Sequence, residues 1–240
     1  TNNVKPEIAD QIAIGYFKNF GKANDYETNI EGYYKKLQNQ VDYVDGASLL
    51  LNELLEADLL SGIGRAYGME VYVKKNNGKL TGWVSYTLAR SERQVTGIND
   101  GNWYPNRFDR KHNLYIVSQY QLNQKWEFAA NFVFSTGTPA TFYTGQYSVQ
   151  GYVVPDAGSN ARNNVRNPTY HRLDLSATYT RKKTKEFESY WVFSCYNAYN
   201  RRNPFSIYFS TNYKDLGQNA AIRYSVIGSI IPAVSYNFKF

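Results

Sequence analysis

Lys125-Trp126-Glu127-Phe128-Ala129-Ala130-Asn131-Phe132-Val133-Phe134-Ser135 alternates with a period of two. The even positions, Trp126, Phe128, Ala130, Phe132 and Phe134, are aromatic or small and apolar. The odd positions include Lys125, Glu127, Asn131 and Ser135. Successive side chains of a strand point to opposite faces, so this segment has one apolar face and one wet face. The pattern recurs along the chain. Over residues 170–180, His171, Leu173, Leu175, Ala177 and Tyr179 oppose Arg172, Asp174, Ser176 and Thr178. Further stripes are Tyr67, Met69, Val71 and Val73; Leu80, Gly82, Val84, Tyr86 and Leu88; and Leu114, Ile116, Tyr120 and Leu122. The last runs Ile230, Pro232, Val234, Tyr236, Phe238 and Phe240. Each stripe is about 9–11 residues long, the length a tilted strand needs to cross a bilayer.

Composition narrows the class. The chain has 240 residues, 17% aromatic, with 23 Tyr, one Cys, one Met and a formal net charge of +7. So many aromatics exclude a disordered chain, and one Cys excludes a disulfide scaffold. No apolar run is long enough for a membrane helix. The basic residues lie scattered over strand faces and turns with no stripe on one element, which excludes a nucleic-acid interface. Charge at Lys182, Lys183 and Lys185, and at Arg201 and Arg202, reads as membrane-rim charge facing outer-membrane lipid and lipopolysaccharide phosphates.

The connections come in two sizes. Short turns fall at residues 21–25, 76–78, 123–124 and 182–185, and Asn77-Gly78 is a strong hairpin signal. Long polar connections fall near 45–62, 95–107, 138–167 and 203–219. Short and long alternate strictly, as in a barrel with short periplasmic turns and long external loops. Nine strands are expected, near 7–20, 26–43, 63–75, 79–94, 108–122, 125–137, 168–181, 187–208 and 221–240. Leu50, Glu53, Leu54 and Ala57 have helical spacing, so a short helix in the first long connection is an alternative there. Nine strands alone would leave two open edges in lipid. The expected architecture is therefore an all-β transmembrane antiparallel barrel, with residues 1–240 forming its C-terminal section and the remainder lying elsewhere.

Several runs carry a resemblance. They are Gly64-Arg65-Ala66-Tyr67-Gly68-Met69-Glu70-Val71-Tyr72-Val73, Gly78-Lys79-Leu80-Thr81-Gly82-Trp83, Asp109-Arg110-Lys111-His112, Ser135-Thr136-Gly137-Thr138-Pro139, Tyr170-His171-Arg172-Leu173-Asp174 and Tyr196-Asn197-Ala198-Tyr199-Asn200-Arg201-Arg202-Asn203-Pro204-Phe205. In order and spacing the chain resembles the C-terminal barrel of TonB-dependent receptors of the Bacteroidota type, which carry a carboxypeptidase-regulatory-like domain. The resemblance implies a barrel of about twenty-two strands closed by a plug. It also implies uptake of a scarce ligand powered by TonB–ExbB–ExbD, a surface lipoprotein partner, and delivery by the barrel-assembly machinery. The plug and the upstream strands are not in this chain.

Catalytic chemistry is sparse. His112 and Asp109, and His171 and Asp174, are three residues apart, which on a strand puts them on opposite faces. No His/Cys cluster suits zinc, and Cys195 has no activating base beside it in sequence. No cofactor and no enzymatic activity are expected. Glu70, Glu127, Asp174, Arg172 and Lys74 share polar faces and should line the lumen, because an Arg or Lys facing lipid near midplane costs about 2–4 kcal/mol. The long connections at Trp103 and Tyr104 and at Tyr143, Tyr147 and Tyr152 are candidate substrate-binding tips. Tyr236, Phe238 and Phe240 form a candidate assembly signal. Two functions fit: a TonB-dependent transporter, or a receptor-like barrel serving as structural subunit of a multiprotein outer-membrane complex.

Overall fold

The computed structural model describes residues 4–47, 52, 55–142, 145–150, 152–155, 161–184, 186–211 and 219–240. Nine long strands form one antiparallel sheet in chain order. They are β1 (Ile8–Phe20), β2 (Tyr26–Tyr43), β3 (Leu59–Lys75), β4 (Leu80–Val95), β5 (His112–Gln121), β6 (Trp126–Ser135), β7 (Tyr170–Lys183), β8 (Glu188–Tyr196) and β9 (Ile231–Lys239). Every neighbour in the sheet is also a neighbour in sequence, the simplest meander that short turns permit. Among the described residues the sheet is not closed: β1 pairs only with β2, and β9 only with β8.

The period-two pattern fixes the register across the sheet. One rung runs Tyr16–Ile30–Val71–Tyr86–Leu114–Phe134–His171. Another runs Leu80–Tyr120–Phe128–Ala177–Phe193–Val234. The opposite face carries Glu27–Lys74–Trp83–Val117–Asn131–Asp174. Arg172 and Glu127 lie on that polar face too, opposite Val133 and Thr178.

Among the described residues most of the apolar face is uncovered. Among the described residues the fully buried apolar side chains are Val95, Ile98 and Tyr104, whereas Ile14 is 80% and Val234 60% exposed. A water-soluble chain of this size would bury a continuous core. Here the apolar surface is turned outward, and hydrocarbon is the solvent that suits it. Aromatic residues gather at the short-turn end of this face. The ring centroids of Trp126 and Tyr179 are 4.9 Å apart, those of Trp191 and Tyr236 4.8 Å, and those of Phe20 and Tyr26 5.1 Å. Tyr34 and Tyr67 stack at 6.3 Å towards the long-connection end. Such girdles mark the two edges of a membrane-spanning band. From Trp126 to Phe134, at about 3.3 Å per residue and a tilt near 40°, the band is about 20 Å tall.

Two expected strands differ from those formed. The expected 187–208 ends at Tyr196, and Ser206–Thr211 pairs instead with Asn219–Tyr224 in a separate hairpin. The expected 221–240 is divided accordingly. Asn197 causes the break. It takes a left-handed conformation (φ 55°), its Oδ1 accepts from Arg201 N (3.0 Å), and its Nδ2 donates to Arg201 O (3.0 Å). A side chain that closes its own turn in this way competes with the ladder. In the first long connection, Leu55–Asp58 makes one 3₁₀ turn, while Leu50, Glu53 and Leu54 lie outside the described residues.

Candidate functional site

At the long-connection end the polar face is closed over by loop segments. A bulge in β2 makes this arrangement. Leu37 pairs with Gly64, yet the next pair is Gln40 with Gly62. Before the bulge the even residues Tyr34 and Lys36 point to the apolar face. After it, Asp42 points to the polar face, level with Leu60. A bulge re-aims side chains in this manner, and Asn39 at the bulge accepts positive φ (55°) while its Nδ2 donates to Pro6 O (2.8 Å).

Asp42 becomes the anchor of a clasp. The Tyr104 hydroxyl donates to Asp42 Oδ2 (2.7 Å), and Arg162 Nη1 reaches Asp42 Oδ1 (2.7 Å). Arg162 Nη2 also holds Asp45 Oδ1 (2.5 Å). Its backbone N donates to Asn99 Oδ1 (2.6 Å), and Asn99 Nδ2 donates to Arg162 O (3.1 Å). Asn163 Nδ2 donates to Pro105 O (2.7 Å). Arg166 pairs with the buried carboxylate of Asp109, whose Oδ1 accepts from Ser91 N (2.6 Å). Beneath the clasp Tyr104 packs with Val95, Ile98 and Leu60. Three long connections are thereby tied into one roof on the polar side. Burial, with the hydrogen bond to Asp42, pushes the Tyr104 phenol well above its ordinary range.

The candidate residues fall in distinct places. Tyr104 is 2% exposed and its hydroxyl is committed to Asp42. Trp103, one residue earlier, stands on the opposite face, its ring 4.2 Å from the Arg65 guanidinium carbon. Tyr147 and Tyr152 lie in a small hairpin, Gln146–Val149 with Tyr152–Pro155, and Tyr143 lies outside the described residues. Tyr236 and Phe238 belong to β9 with Phe240 following, and their rings lie against one another. His112 Nδ1 bonds the Tyr86 hydroxyl (2.8 Å) and His171 Nδ1 the Tyr199 hydroxyl (2.7 Å). The clasp residues Asp42, Asn99 and Arg162 carry no motif in sequence; Arg162 meets Asp45 across 117 residues.

Lower on the polar face, Arg172 pairs with Asp174 (2.9 Å) and lies 4.1 Å over the Tyr196 ring. Glu31 and Glu70 stand directly opposite each other, an arrangement that needs water or a cationic partner beside it. Among the described residues no group of three metal-ligating side chains occurs.

This two-faced sheet matches known structures. The ferric-catecholate import receptor Fiu from E. coli K12 superposes with a TM-score of 0.59 at 14% identity, over 100% of this chain and 29% of that one. The ferric citrate transporter FecA gives 0.61 at 18%, over 99% and 32%. The FrpB iron transporter from Neisseria meningitidis gives 0.58 at 12%, over 98% and 32%. The fold is that of part of the β-barrel of these three proteins. The chain spans about a third of the length of each of these proteins. No protein-family model matches the sequence, and comparison with curated proteins finds no match.

Proposed function

We propose that this chain forms part of the wall and mouth of an outer-membrane TonB-dependent transporter, which takes up a scarce ligand through a plugged barrel. The observation that carries this reading is the continuous two-faced register. Nine strands turn an uncovered apolar band outward, set charge inward, and hold long loops at one end only. Ferric chelates, named for two of the similar structures, the third being an iron transporter, are the first ligands to test. The loop hairpin formed by Gln146–Val149 and Tyr152–Pro155 would meet ligand. The inward charges, Glu31 and Glu70 among them, would face a plug. Energy would come from TonB–ExbB–ExbD, and a surface lipoprotein could cover the loops.

The test is growth of the native organism on ferric chelates as sole iron source, with and without the gene, in TonB-competent and TonB-deficient backgrounds. Loss of growth in either single mutant on one chelate, with no further loss in the double mutant, supports the reading. A protein that reaches the outer membrane, yet whose deletion changes uptake of no ligand and dissolves a multiprotein complex, would instead be a structural subunit.

A further inference from the structure

The apolar face carries one cluster of charge that uptake through the lumen does not use. Lys36 (β2), Arg65 (β3) and Glu92 (β4) form a cross-strand rung, and Arg90 stands beside them on the same face. The rung lies one step beyond the Tyr34–Tyr67 pair, at the outer edge of the apolar band. The Glu92 side chain is 3% exposed. Its Oε2 accepts from Arg65 Nε (2.8 Å) and Nη2 (2.7 Å), and its Oε1 from Arg90 Nη2 (2.5 Å). Glu92 therefore holds two guanidinium groups side by side, and among the described residues their other N–H groups have no further carboxylate partner. Lys36 is exposed and makes no ion pair among the described residues. The facing carboxylate across β1, Asp10, accepts from Gln38 Nε2 (3.0 Å). Three cations thus stand against two carboxylates, and Trp103 is stacked on Arg65.

We propose that Lys36, Arg65 and Arg90 bind the phosphate groups of an anionic glycolipid of the outer leaflet, with Trp103 as an interfacial anchor. Guanidinium forks match phosphate geometry, and Glu92 fixes two of them before the lipid arrives, which lowers the entropy lost on binding. The apolar rungs directly below would take the acyl chains, so an amphiphile fits this place better than a free anion. Trp favours the membrane–water interface. The inference rests on the barrel reading.

The test uses full-length protein purified from outer membranes in detergent, with native mass spectrometry to count retained bisphosphorylated lipid A. Lys36→Ala/Arg90→Ala should lower retention about tenfold. Lys36→Arg should retain lipid as the parent does, and dephosphorylated lipid A should bind all three proteins weakly. Equal retention by the double-alanine variant would overturn the inference, as would displacement of lipid A by an equal concentration of inorganic phosphate. Heat-modifiable migration on gels separates the two levels. If the parent protein shows none, the barrel reading fails; if all three shift alike but bind lipid alike, only the lipid site fails. Should Lys36→Ala/Arg90→Ala lose the shift, Lys36→Ala alone carries the test with the same expected direction.

Discussion

Tyr104 shows how one residue's role depends on surroundings that its neighbours in sequence do not reveal. Asn102-Trp103-Tyr104 reads as an amphipathic loop tip, but the strand-like run here sends Trp103 and Tyr104 to opposite faces. Tyr104 is the buried post of the clasp, and Tyr104→Phe should weaken it by about 1.5–3 kcal/mol, one hydrogen bond to a charged acceptor. The readout is faster proteolysis of the loops near residues 99–105 and 161–167, with barrel migration unchanged. Its phenol is raised in the folded state, so the stabilisation is complete below the ordinary tyrosine range and declines as pH rises above about 10. The clasp should therefore loosen in strong alkali in the parent but not further in Tyr104→Phe. A pH dependence of loop proteolysis that is identical in both proteins would refute this.

Among the elements, the β4–β5 pair depends on Gly82. Its φ is 145°, and a Cβ there would meet Val117 O at 2.1 Å. Contact with backbone cannot be relieved by a rotamer change, so Gly82→Val should push β4 off β5 and cut the yield of heat-modifiable protein severalfold. Ala89 on the same strand, on the polar face opposite Gly68, should tolerate Ser with little change. The β9 edge is a second test. The Tyr236 ring lies tilted against Trp191 of β8 on the apolar face, and Tyr236→Asp would set a carboxylate where hydrocarbon should lie. Membrane insertion should fall, as should insertion on deletion of Phe240; normal assembly of both variants would remove this strand as an assembly signal.

For the whole molecule the facing of the strands is the decisive property. With Cys195→Ser as background, single cysteines at Val84 and Ile116 should resist a membrane-impermeant maleimide. Those at Ser85 and Asn131 should react from the lumen side. A labelling pattern without alternation would dismiss the membrane-spanning wall. Phe132→Arg, placing a cation opposite Leu173, should cost about 2–4 kcal/mol by its depth in the band, visible as a lower urea midpoint in lipid. Residues 1–240 expressed alone should give no heat-modifiable monomer, because β1 and β9 would present unpaired backbone groups to lipid.

The strand number, their order, the facing of Phe128, Phe132, Leu173 and Val234, and the alternation of short and long connections were all legible from residue patterning. Those features are local: a period of two and a turn residue such as Gly78 need no distant partner to be read. The clasp was not legible, because Arg162 finds Asp42 and Asp45 only after the sheet has brought three connections together. Nor was the bulge at Asn39, where one extra residue reverses the side to which every later side chain of β2 points. The end of β8 at Asn197 was hidden for a similar reason, since whether an asparagine closes its own turn or joins a ladder is decided by what packs beside it. Alternation is written into the chain by the contrast between hydrocarbon and water; which side chains meet at the mouth is set by register, bulge and loop docking, which exist only once the strands are paired.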